Sequence, residues 1–250
     1  MKNTKIITSW LIVIPVLLSL LSGCAWLDKL RGPDEDKSPS ELMYQGMSDL
    51  ERGRYSSATK AFQTIKDRYP YSELAVEAKL RMADTLYRRE LYEEAYDAYD
   101  EFERLHPTNS AVPFAIYQKG MCYFSRMRGI DRDQTATRNA SDQFERLIEK
   151  FPDSGYSAQA HRKLTECYSS LVSHELFIAD FYLKKKQYHA ARDRYIYILE
   201  NYPDFGQYLH ALENLNICMQ NLKDQDEGSK SWLRKIIPFD HAGDRPPIGW

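Results

Sequence analysis

The marks by which many enzymes are recognised are missing from this 250-residue sequence. It has no His-Glu-x-x-His helix, no Gly-x-Ser-x-Gly elbow and no Gly-rich phosphate loop, which argues against zinc peptidase, serine hydrolase and nucleotide-binding chemistry. Histidine is scarce: the 6 present, at 106, 161, 174, 189, 210 and 241, share no ligand spacing with the 4 cysteines, so no metal site is expected. Nor does one sign of charge dominate. With 34 basic and 36 acidic residues and a net charge of −2, the chain lacks the basic excess that nucleic acid demands. Its one long apolar run, Ile6 to Leu21, contains Pro15 and is too short to span comfortably the roughly 30 Å of a hydrocarbon core.

That run has another use. Lys2 and Lys5 precede it, and Leu21-Ser22-Gly23-Cys24 follows, with small residues where a processing enzyme cleaves. The tetrapeptide resembles the bacterial lipobox, which implies removal of residues 1–23 and acylation of Cys24 by a diacylglyceryl group and an N-acyl chain. An ordinary signal peptide or a membrane anchor ending by chance in cysteine is the alternative. Two or more acyl chains anchor stably where one is marginal. Removal of Lys2 and Lys5 lowers the net charge from −2 to −4. Ala25 stands where an inner-membrane retention signal usually has Asp, so the resemblance implies outer-membrane delivery. Residues 24–40 read as lipidated cysteine and flexible linker, and the 15 residues from Trp26 reach roughly 50 Å when extended.

From Glu41 the sequence repeats. An aromatic residue or His precedes each of Pro70, Pro107, Pro152 and Pro203; eight residues before these prolines stand Phe62, Tyr99, Phe144 and Tyr195, and twelve before them Ala58, Ala95, Ala140 and Ala191. Tyr55, Tyr92 and Tyr188 stand fifteen before three of them, with Gly46, Ala83 and Ala179 nine further back and Gly120 in the third unit. A spacing of four keeps Ala and aromatic on one helix face, the small residue lets a second helix approach, and proline ends that helix. The pattern resembles the tetratricopeptide repeat, which implies an all-α superhelical solenoid of about five helix-pair units over residues 41–225. An ordinary helical bundle is the alternative.

The units are uneven. The third carries about eight extra residues around Arg126 to Ala136, and the fourth reads as helix from Tyr156 to Lys185, either one extended helix or two with a tight break. The tail, 226–250, is of uncertain order: Trp232, Leu233, Ile236, Ile237 and Phe239 are apolar at helical spacing, so it packs on the last repeat, stays disordered or meets a partner or membrane.

Lipobox, linker, Gly53-Arg54-Tyr55-x-x-Ala58 to Pro70-Tyr71-Ser72, the insert with Asp131-Arg132-Asp133, and Glu175-x-x-Ile178-Ala179-x-Phe181-Tyr182 together resemble the BamD (ComL) family of outer-membrane assembly lipoproteins. The resemblance implies a non-enzymatic, lipid-anchored subunit facing the periplasm in the machine that inserts β-barrel proteins. Its amino-terminal repeats would receive unfolded outer-membrane proteins, and its carboxy-terminal repeats would dock on POTRA domains of a BamA-like barrel protein. Accessory Bam lipoproteins are possible further partners; nucleic acid is not. A pilotin-like lipoprotein for secretin or type IV pilus assembly, and a lipid-anchored regulator of a peptidoglycan enzyme, are the competing readings.

Within that frame Tyr44, Tyr71 and Tyr87 lie outside the packing column, and Arg81 or Arg88 could pair with a substrate carboxylate, giving an expected groove of Tyr44, Tyr71, Arg81, Tyr87 and Arg88. Arg194, on the second helix of the fourth unit, is either part of the partner interface or a solvated surface residue. In the insert, Arg128, Asp131, Arg132 and Asp133 could dock a partner or close the loop on itself. Finally, Cys122, Cys167 and Cys218 each stand fifteen after a proline, where the second unit has Thr85. Equivalent positions on packed helices lie about 10 Å apart, beyond the roughly 7 Å a disulfide allows, so three buried reduced thiols are expected.

Overall fold

The computed structural model describes residues 37–223; the expected signal peptide, Cys24, most of the linker and the tail lie outside the described residues. Among these residues there are nine helices and no strand. They are α1 (Pro39–Glu51), α2 (Tyr55–Arg68), α3 (Glu73–Arg88), α4 (Tyr92–Leu105), α5 (Val112–Phe124), α6 (Thr135–Lys150), α7 (Gly155–Lys184), α8 (Tyr188–Asn201) and α9 (Tyr208–Asn221). Four pairs and a ninth helix make a tetratricopeptide-type array. Residues through Ala78 form one compact unit and those from Lys79 a second, the division falling within α3.

In the first unit α1 starts two residues ahead of the boundary at Glu41. Ser38 and Glu41 form a capping box, each bonding the other's backbone N–H at 3.3 and 2.8 Å, and Pro39 occupies the first turn, where no donor is needed. The α1–α2 contact centres on Gly46: a Cβ there would lie 2.8 Å from Phe62 Cζ. The glycine therefore makes room for the column aromatic itself, where the repeat pattern pointed to the column alanine. Leu42, Leu50, Ala58, Phe62 and Ile65 complete this small core.

In the second unit each helix packs on the next from α4 to α9, and α7 also touches α5 and α9, so first helices of successive pairs meet as well. Gly120 repeats the device of Gly46, a Cβ there lying 2.5 Å from Phe144 Cε1. Where the column aromatic is tyrosine, the hydroxyl finds an acid: Tyr99 donates to Asp84 at 2.6 Å and Tyr195 to Asp180 at 2.5 Å. Of the two readings for the fourth unit, the extended one holds: α7 is a single 30-residue helix, capped by Ser154. From Pro152 to Ala179 is 27 residues, against 13 from Pro107 to Gly120. The extra fourteen are close to four turns of 3.6, so lengthening keeps the same face inward.

Two turns recur. Between helices of a pair, Arg54 N–H reaches Asp49 O, Leu91 N–H reaches Leu86 O and Gln187 N–H reaches Tyr182 O, at 2.8 to 3.1 Å, with Gly53, Glu90 and Lys186 at positive φ. This is the Schellman ending of a helix. After the second helix, Tyr69, His106 and Phe151 accept from Ser72, Asn109 and Ser154 across a β-turn whose second residue is the proline.

Candidate partner-binding surfaces

The first unit supplies two of the expected groove residues. Tyr44 is 78% exposed on α1, and Tyr71, third residue of the proline turn, is fully exposed at its tip. At the other end of α1 Asp49 is buried, held by Ser57 Oγ at 2.5 Å and by Arg54 Nε at 2.8 Å. The Ser57 hydrogen bond, acting with Arg54 and against burial, keeps its carboxyl below the ordinary range.

The other three belong to the second unit, and two are engaged there. Arg81 Nη1 pairs with Asp84 Oδ2 at 2.9 Å, while burial raises the Asp84 carboxyl against the pull of Tyr99 and Arg81. Tyr87 is half-buried, edge-on to Tyr92 with centroids 5.4 Å apart, its hydroxyl 2.9 Å from Ser125 Oγ. Arg88 is exposed.

The insert is an ordered loop between α5 and α6, tied by a residue that the sequence did not single out. Gln134 is buried; its Nε2 donates to the carbonyls of Gly129 and Arg132, both at 3.0 Å, and its Oε1 accepts from Thr137. An amide carries no charge to mark it in a sequence, yet its two-sided hydrogen bonding suits it to closing a loop. Asp133 accepts from Thr135 N at 3.0 Å, at the start of α6, a bond that lowers its pKa. Asp131 pairs loosely with its neighbour Arg132 at 3.6 Å, Arg126 pairs with Glu93, and His174 Nδ1 lies 2.6 Å from Ile130 O. Between loop and helices lies a cleft of about 840 Å³, lined by Tyr123, Arg126, Met127, Arg128, Arg132 and Asn139 among others.

Arg194 is not simply a solvated arginine. Its Nη1 lies 2.7 Å from Oε2 of Glu175, a residue only 2% exposed, while the arginine side chain as a whole remains 43% exposed. A second buried ion-pair network holds α4 to α5 and α6: Lys119, 3% exposed, meets Asp100 and Glu103, and Arg146 grips Glu103 through two bonds of 2.9 and 2.8 Å. Burial works to raise the Glu103 carboxyl, but Arg146 and Lys119 bring it below the ordinary range.

Cys122, Cys167 and Cys218 are buried and free, as their repeat position requires, and Thr85 fills the same place with its hydroxyl on Arg81 O. Burial pushes the thiols up to about 12, 12 and 11, so they stay protonated and unreactive at neutral pH. Among the described residues no group of His, Cys, Asp and Glu could hold a metal ion, and no helix is long and apolar enough to cross a membrane.

The YfiO family, described as outer membrane lipoprotein, matches residues 35–232. The chain belongs to this family. Relatives named outer membrane protein assembly factor BamD agree along most of their length. The protein from Rickettsia prowazekii is 30% identical over 231 residues, covering 92% of this chain and 89% of its own. That from Caulobacter vibrioides is 27% identical, covering 90% and 73%, and that from Neisseria meningitidis serogroup B 28%, covering 84% of each. The YfiO match takes in all nine helices, including the irregular third and fourth pairs.

Proposed function

We propose that this chain is an outer-membrane protein assembly factor of the Bam type, working by binding and not by catalysis. The observation that carries the reading is the match of about nine-tenths of the chain to a relative bearing that name. A tetratricopeptide array suits the task, since stacked helix pairs offer extended surface to other polypeptides. Cys24, acylated, anchors the chain in the outer membrane with its helices in the periplasm. Exposed Tyr44 and Tyr71 on the first unit, and Arg81, Tyr87 and Arg88 at the start of the second, offer stacking faces and cations to unfolded barrel proteins. The insert residues Arg128, Asp131, Arg132 and Asp133, with Arg194, dock on the POTRA domains of a BamA-like protein; accessory lipoproteins join the same assembly.

Affinity purification of the tagged, lipidated chain from detergent-solubilised envelopes, with mass spectrometry of what it retains, tests this. A POTRA-bearing barrel protein in near-equal amount is expected. Recovery of a secretin or pilus protein in its place would overturn the assignment and leave the fold untouched.

A further inference from the structure

Glu175 breaks the repeat. It stands four residues before the small column residue Ala179, a place held by Leu42 in the first pair and Ile116 in the third, both essentially without exposure. In the second pair it is Lys79, whose ammonium reaches His106 Nε2 at 3.5 Å. Glu175 shares the inward face of α7 with buried Leu171, Val172 and Ala179. A carboxylate there pays a heavy desolvation penalty, and a leucine of similar volume would pack at least as well. Stability of the fourth pair does not explain the residue.

What the carboxylate does is bond one arginine and face a second, from two different helices. Arg194 of α8 binds Oε2 at 2.7 Å, and Arg138 of α6 approaches Oε1 at 3.9 Å. Their side chains are 43% and 50% exposed, and neither has another ion pair among the described residues. The triad carries a net charge of +1, and a guanidinium has five N–H donors, most of which remain for a ligand. Long side chains already held in place lose less freedom on binding. We infer that Glu175 is a positioning residue that sets Arg194 and Arg138 as a two-arginine clamp for a carboxylate side chain of the docking partner. This rests on the reading that the face of Arg194 docks a POTRA-bearing barrel protein, and it adds Arg138 and Glu175 to that face.

The test is calorimetric titration of the full lipidated chain with the whole barrel protein of the same bacterium, both in detergent. Arg194→Ala and Arg138→Ala are each expected to weaken binding about tenfold. Glu175→Leu is expected to keep or raise the melting temperature yet weaken binding as much, although the charge at the site rises to +2; added to the double arginine variant it changes nothing more. Glu175→Gln replaces it if the leucine variant does not fold. Tighter or unchanged binding by the Glu175 variant would show that the residue only dampens the local field, and overturns the inference. Weakening by Arg194→Ala alone, with Arg138→Ala neutral, also overturns it while leaving the docking intact. No binding by the wild-type chain overturns the partner reading and this inference together.

Discussion

In the first and third repeats the column aromatic is a phenylalanine pressed on a glycine, Phe62 on Gly46 and Phe144 on Gly120. In the second and fourth it is a tyrosine, the glycine is an alanine, and the next residue is an aspartate that takes the tyrosine hydroxyl: Ala83-Asp84 with Tyr99, Ala179-Asp180 with Tyr195. The first and third repeats have Met47 and Met121 at that next position. Three positions on two helices thus change together. One solution gains contact by removing a Cβ; the other keeps the Cβ and secures the ring through a partly buried hydrogen bond. Helix pairing here is specified by the triplet and not by any one residue.

The largest effect comes from forcing one member of a triplet alone. Gly120→Ala places a methyl against the Phe144 ring, which is itself wedged beside Tyr117 and Phe124 at 5.8 and 6.3 Å between centroids. Overpacking of this kind costs about 2–3 kcal/mol, read as a lowered urea midpoint at unchanged slope. Converting the whole triplet, by Gly120→Ala with Met121→Asp and Phe144→Tyr, is expected to recover at least half of that loss. A triple variant less stable than the single one would sink the idea of two interchangeable solutions.

A smaller effect comes from cutting the hydrogen bond in the other solution. Tyr99→Phe leaves the half-buried Asp84 with Arg81 as its remaining partner, at a cost of about 1–2 kcal/mol at neutral pH. Burial raises the Asp84 carboxyl, so its proton is bound more readily in the folded state, and its contribution to stability grows as pH falls through that raised value. Without the Tyr99 bond the carboxyl rises further. The variant should therefore converge on the wild type on acidification through the upper carboxylate range. A difference that stays constant from pH 7 to pH 4 would mean that the hydroxyl, not the carboxylate, bears the cost.

The repeat itself was legible because it is written in residues with few substitutes: prolines ending second helices, alanines at close contacts, aromatics eight residues before each proline. The long α7 was legible as continuous periodicity, and the three cysteines as core residues because they share one position. The glycine–phenylalanine contact was not, since spacing reports that two columns face inward but not which members touch. Nor could spacing show that Arg194 reaches a buried carboxylate nineteen residues earlier, or that Tyr87 turns its hydroxyl to Ser125. For surface residues a sequence carries type without direction, and at a binding surface direction decides function.

The turn inside each pair separates the repeats by the least. Gly53, Glu90 and Lys186 occupy the same Schellman position at φ of 71°, 62° and 59°, while the third repeat replaces the turn with its insert. A Cβ at Gly53 would meet nothing within 4 Å, so Gly53→Ala isolates backbone conformation from packing. Left-handed backbone costs an L-residue about 1–2 kcal/mol, and alanine returns part of this by restricting the unfolded chain, leaving a net loss of roughly 1 kcal/mol. The reverse changes, Glu90→Gly and Lys186→Gly, relieve the same strain but loosen the unfolded state, so each should shift stability by less than about 0.5 kcal/mol. If Gly53→Ala proves neutral as well, the two tight hydrogen bonds of the turn already absorb the strain. The glycine would then reflect no demand of the fold, and the first repeat would be no different from the second and fourth at this point.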